Sequence, residues 1–248
     1  ATMTPDQHDT SLDDIRREID AIDDGLVDLI RKRIAASGRV RATKTLTGSL
    51  SVSPIRPARE ALILRRLIAE AGPAIPAELL VRLWRVILSS STLAQAPVII
   101  HISRGLGGKP DLCVEMSVQF GATPTEVHDH EAAALASLQS NPGDLCVVEP
   151  QSHWVEAYAR GLAGEARVIG AIPVLRSESQ PALLVLGHAQ SQPTGDDETL
   201  VISRGSLPRD FSPGHLWQTK SGSHVLSSLP GYLNENDGPL AALMRSNA

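Results

Sequence analysis

Between Leu12 and Lys44 the sequence keeps one helical period whose chemistry changes partway along. Leu12, Ile15, Ile19, Ile22, Leu26 and Leu29 recur at steps of three and four, which puts them on one face of an amphipathic helix. The next positions in phase are Arg33, Val40 and Lys44. Two fixed cations therefore stand where core residues are due. Desolvating an unpaired charge costs several kcal/mol or more, so these positions are expected to face an anion, a buried acid or a water-filled cavity.

Ser11, with Asp14 three residues on, reads as the N-cap of this helix, and no proline interrupts the pattern before about Lys44. That is one helix of roughly 33 residues, about 50 Å long. Thr45 to Ser53 is small and polar, with Ser49, Ser51 and Ser53, and Pro54 and Pro57 punctuate its end. A second helix is predicted from about Pro57 to Ala71, with Leu64, Leu67 and Ala71 on one face. Gly72 to Pro76 breaks it, and a third helix from Ala77 to about Gln95 sets Leu80, Leu83 and Ile87 in line.

From Pro97 the character changes. Short β-rich runs, Val98 to Ile102, Leu145 to Val148, Val168 to Leu175, Leu183 to Leu186 and Leu200 to Ser203, alternate with loops and with helical stretches at Glu131 to Leu138 and Leu240 to Met244. The expected fold is α+β overall, an all-α region over 1–96 followed by an α/β region over 97–248.

On an ideal helix Arg33 and Lys44, 11 residues apart, point the same way about 16 Å from each other, whereas Arg16 lies about 100° around from Arg33. The third helix repeats the pattern in neutral form, Leu83 and Ile87 being followed by Ser91 and Gln95. On the second, Glu60 is in phase with Ile63, Leu64 and Leu67, and Arg59 stands beside it. Each position also has a plain reading: a basic side chain snorkels to water, and an acid in a first turn suits the helix dipole. The coincidence across three helices favours a site.

Composition narrows the partner. Net charge is -5, and three Trp, two Tyr and two Phe are too few for the basic, stacking surface of a nucleic-acid binder. No apolar run approaches the roughly 20 residues of a membrane span, and the polar, acidic N-terminus is unlike a signal peptide, so a cytoplasmic protein acting on a small molecule is expected. Cys113 and Cys146 read as two buried thiols. His128-Asp129-His130-Glu131 reads as a solvated helix start rather than a metal motif, and His153, His188, His215 and His224 are scattered; neither metal nor cofactor is expected. Gly105-Leu106-Gly107-Gly108 reads as a turn, since no dinucleotide fingerprint completes it.

Over about residues 11 to 96 the chain resembles the all-helical chorismate mutases. The resemblance rests on Leu12-Asp13-Asp14-Ile15-Arg16-Arg17-Glu18-Ile19-Asp20-Ala21-Ile22-Asp23, Leu29-Ile30-Arg31-Lys32-Arg33, Lys44, Arg59-Glu60 and Ser91-Thr92-Leu93-Ala94-Gln95. It implies an intertwined homodimer of three-helix subunits that converts chorismate to prephenate by a Claisen rearrangement. It implies that Arg33, with Arg16 of the partner subunit, binds substrate carboxylates with help from Arg59 and Ser91. Lys44 and Gln95 would then donate to the ether oxygen, and Glu60 would hold the ring hydroxyl. Where the family often carries an Asp three residues before the Arg-Glu pair, this chain has Arg56 in or near the place.

The second half is similar in places to prephenate dehydratases. Glu131 to Val148, Ala182 to Gly187 and Pro193 to Val201 resemble pieces of that fold, but Gln180-Pro181-Ala182 stands where its Thr-Arg-Phe signature belongs. The expectation is a degenerate dehydratase-like domain of structural or regulatory use. Two other readings stay open: a bifunctional mutase and dehydratase, and a non-catalytic regulator that binds a metabolite.

Overall fold

A computed structural model describes residues 11–46, 53–175, 180–207, 211, 214–234, 236–238 and 240–241, apart from the side chains of Arg41, Lys44 and Thr45. The N-terminal segment Ala1 to Thr10, Ser49, Ser51, Met244 and the Lys44 side chain therefore lie outside the described residues. The chain divides into two compact units, 1–49 and 50–248.

The first unit is a single helix, α1 (Leu12–Leu46), two residues longer than the periodic pattern. Its start is the expected cap. The Ser11 hydroxyl donates to Asp14 Oδ2 at 2.6 Å, the Asp14 N–H donates back to Ser11 Oγ at 3.2 Å, and the Ser11 N–H donates to Asp14 Oδ2 at 3.2 Å. The stripe itself is not buried: Leu12, Ile15, Ile19, Ile22, Leu26 and Leu29 are all exposed, as are Ile30, Ile34 and Val40. Sequence periodicity predicts which face seeks burial, but one helix has no core of its own to supply it.

The second unit opens with α2 (Pro57–Ala71) and α3 (Ala77–Leu93), joined by a 3-10 turn over Gly72–Ala74. Pro57 starts α2, where its missing N–H costs nothing, and Gly72 ends it with φ +54. On α3 the buried positions are Leu80, Val81, Arg85, Leu88 and Ser91. Leu83, predicted to be in line with Leu80, is 51% exposed, so the buried face is rotated from the one the apolar residues alone suggest.

A five-stranded sheet follows, in the order β2-β1-β3-β5-β4. Its strands are β1 (Ile100–Ser103), β2 (Thr125–His128), β3 (Leu145–Val148), β4 (Arg167–Ile172) and β5 (Leu183–Gly187). β1 runs parallel to β2 and β3, while β5 is antiparallel to both β3 and β4. Side chains alternate between its faces, with one register shift in β4 between Val168 and Gly170. Leu145, Val147, Leu183 and Val185 join Ile100 and Ile102 in one core, which Leu106, Met116, Ile55 and Leu93 complete. Cys146, Val148, Leu184 and Leu186 join a second core with Leu135, Leu138, Trp154 and Trp217.

Helices flank this sheet: the one-turn α4 (Arg104–Gly107), α5 (Pro110–Phe120), α6 (Glu131–Ser140) and the short α7 (Trp154–Ala159). α3 is tied to the end of α5 by Ser89, whose hydroxyl donates to the Phe120 carbonyl. A second, antiparallel sheet, β6-β8-β7, is made from β6 (Glu198–Ser203), β7 (Trp217–Ser221) and β8 (His224–Pro230). The α+β class is thus present, and β2, β7, β8, α5 and α7 are elements that the sequence pattern missed. Of Leu240 to Met244, residues 240 and 241 are helical. The Gly105 to Gly108 run is α4 with its end, rather than a simple turn.

Candidate functional site

Burial gives Glu60 and Arg85 a chemistry that neither would have at the surface. Glu60 lies in the first turn of α2 and Arg85 in the middle of α3, 25 residues later. The short connection at Gly72–Ala74 makes the two helices neighbours, so the side chains meet: Arg85 Nη1 donates to Glu60 Oε2 at 2.7 Å. Their side chains are only 9% and 19% exposed. Desolvation raises the Glu60 carboxyl above its usual range, opposed by the charge and hydrogen bond of Arg85, and lowers the Arg85 guanidinium, opposed by Glu60. Arg85 Nε is buried and makes no hydrogen bond among the described residues.

The pair borders a large cleft of about 880 Å³ in the second unit, where α2 and α3 meet the sheets. Ser89 and Thr92 of α3 and Gln119 and Thr123 at the end of α5 add hydrogen-bonding groups to its wall. An acid paired with a guanidinium, and hydroxyl and amide groups along the wall, can bind a small polar molecule by directed hydrogen bonds.

The other predicted positions of the second unit lie elsewhere on the same helices. Arg59 is exposed beside Glu60. Ser91 is buried, and its hydroxyl donates to the Ile87 carbonyl at 2.8 Å. Gln95, just past the end of α3, is half-buried, and its amide donates to the Ser91 carbonyl at 3.1 Å. Ser91 and Gln95 are not part of the lining of the cleft that holds Glu60 and Arg85. Arg56 occupies the N-cap position of α2 with no side-chain cap.

On α1, Arg33 is half-buried and Arg16 is exposed, 3.2 Å from Asp13. Arg17 pairs with Asp14 at 2.6 Å. The backbone of α1 is helical through Leu46 in one unbroken run that contains both Arg33 and Lys44.

Arg85 is the residue that sequence reasoning missed. It sits one turn from both Val81 and Leu88 in an apolar run, the same signal of a charge inside a buried stripe that singled out Arg33 and Lys44.

Two further expectations change. Cys146 is fully buried and its thiol is pushed up to about 12 by desolvation, but Cys113 is only half-buried, with its sulfur 3.7 Å from the Gly107 carbonyl oxygen. His128 and His130 do not form one solvated helix start. His130 caps α6 by accepting from the Ala133 N–H at 3.2 Å, whereas His128 ends β2 and faces a buried histidine, His101, at 3.0 Å.

Among the described residues no helix is long and apolar enough to cross a membrane. Comparison with curated proteins and with solved structures finds no match for the chain. Residues 15–96, the stretch that holds Arg16, Arg33, Lys44, Arg59, Glu60, Ser91 and Gln95, match the family described as chorismate mutase type II, and that match supports an isomerase activity of this kind.

Proposed function

We propose that the chain is a dimeric chorismate mutase whose residues 1–96 form the catalytic domain and whose residues 97–248 form an appended domain of structural or regulatory use. The observation that carries this reading is the family match over 15–96, which contains every charged or hydrogen-bonding position that interrupts the apolar stripes. The exposed apolar stripe of α1 supports the dimer: six large apolar side chains on one face need a partner surface, and a second copy of the helix supplies one.

The rearrangement is unimolecular, with no covalent intermediate and no obligatory proton transfer. Rate enhancement then comes from holding the substrate in its reactive conformer and from stabilising the charge that develops as a carbon–oxygen bond breaks. In this scheme Arg33 and the partner subunit's Arg16 bind the two carboxylates, aided by Arg59 and Ser91. Lys44 and Gln95 donate to the ether oxygen. Such donors favour the transition state over the substrate because the oxygen becomes more negative along the path. Glu60 accepts from the ring hydroxyl, and Arg85 beside it opposes the burial that raises the Glu60 carboxyl.

The test is direct conversion. Purified full chain incubated with chorismate is expected to consume it and to release prephenate, without phenylpyruvate, since the Thr-Arg-Phe signature of a dehydratase is absent from the region around Gln180. A folded, dimeric protein that leaves chorismate untouched overturns the reading.

A further inference from the structure

His101, Glu126 and His128 converge on one face of the parallel pair β1 and β2. Register explains why. His101 lies opposite Glu126 and Ser103 opposite His128, so all four share the side of the sheet that Ile100 and Ile102 avoid. His101 Nδ1 and His128 Nε2 are 3.0 Å apart. The Glu126 carboxylate oxygens lie 3.9 Å from the first and 3.7 Å from the second. The ligand atoms of the three residues all fall within 4.8 Å of one another.

The second ring nitrogen of His101 is fixed from behind. Its Nε2 is 3.1 Å from Asp144 Oδ2, and Asp144 Oδ1 accepts the backbone N–H of Ile99 at 2.9 Å. A carboxylate held in this way accepts a hydrogen bond from Nε2–H, the tautomer whose Nδ1 lone pair is aimed at His128. This is the carboxylate–histidine arrangement that orients metal-bound imidazoles. His101 is 2% exposed, so its ring cannot swing away, whereas Glu126 is 56% exposed at the edge of the sheet.

We propose that His101, His128 and Glu126 bind a divalent transition metal ion of the Zn2+ class, with Asp144 as the positioning residue behind His101. Two nitrogens each about 2.0–2.1 Å from one tetrahedral Zn2+ sit about 3.3 Å apart, close to the separation found here. Glu126 reaches the same ion by a side-chain rotation that shortens its two distances by less than about 1 Å. Two imidazoles and one carboxylate are a borderline ligand set suited to Zn2+ and its neighbours rather than to Ca2+ or Mg2+. Three protein ligands leave one position for water or a ligand, and the site opens at the edge strand β2. None of these residues takes part in the mutase scheme, so the proposal stands apart from it.

Metal-free full chain titrated with Co2+ tests this. One equivalent is expected to bind and to give the visible absorption of a four- or five-coordinate ion, and Zn2+ is expected to displace it. His128→Asn and Glu126→Gln, both at the edge strand, are expected to weaken Co2+ binding at least tenfold with an unchanged far-ultraviolet circular dichroism spectrum. His130→Ala, which removes only the cap of α6, is expected to bind as the wild type does. Absence of saturable Co2+ binding to the wild type overturns the proposal. So does binding that survives in both His128→Asn and Glu126→Gln, or that His130→Ala abolishes and His128→Asn does not.

Discussion

Glu60 of α2 and Arg85 of α3 are joined by a 2.7 Å hydrogen bond inside the second unit, where burial works against the charge on each and the partner works for it. Such a pair stabilises little relative to apolar residues of the same shape, but breaking it from one side strands a buried charge.

Arg85→Met is accordingly expected to destabilise the second unit by about 3–5 kcal/mol. The double variant Glu60→Gln with Arg85→Met is expected to be more stable than Arg85→Met alone, because no uncompensated charge remains. Urea unfolding followed by Trp fluorescence measures both; a double variant less stable than the single one contradicts the account.

The pH dependence follows from the direction of the Glu60 shift. A carboxyl raised on folding binds its proton more tightly in the native state than in the unfolded chain. Its contribution favours folding at low pH and is lost as pH rises from the ordinary carboxylate range through the raised value. Glu60→Gln is expected to remove that slope. Unfolding free energies of wild type and Glu60→Gln, measured over mildly acidic to neutral pH, are expected to diverge in this sense.

Leu26 and Leu29 mark the middle of the exposed stripe of α1. If a second copy covers them, Leu26→Glu is expected to shift sedimentation from dimer towards monomer and to lower mutase turnover with it. A dimer unaffected by Leu26→Glu removes α1 from the interface.

Gly222 turns the chain from β7 into β8 with φ +60, and a Cβ there would strike the Glu156 carboxylate. That carboxylate caps the hairpin by accepting the Ser223 N–H at 3.0 Å. Gly222→Ala is expected to cost more than about 1 kcal/mol, read as a lowered thermal midpoint, because left-handed backbone and steric overlap act together.

How much of this was legible in the sequence differs by element. The bounds of α1 and α2 were readable because Ser11, Pro57 and Gly72 act locally, through caps and fixed dihedrals. Strands β3 and β5 were readable because both faces are buried and their sequences are continuous apolar runs. β8 was not: its Ser227 and Ser228 are fully buried yet polar, made tolerable by Gln218 and Glu198, which pattern cannot foresee. The phase of α3 was misread for a related reason, since Arg85 is buried only because Glu60 answers it. Likewise the His101 and His128 pairing depends on the register of β1 and β2, set by residues 27 apart.

The central claim is that the charged stripe of α1 acts on chorismate. The most direct measurement is prephenate formation by the wild type beside Arg33→Ala and Lys44→Ala, each checked for dimer and helix content. The account predicts turnover by the wild type and a loss of at least about 100-fold in both variants, the scale on which removing a donor to developing charge is felt. Turnover that survives both substitutions, or a wild type that is folded and dimeric but inactive, would contradict it.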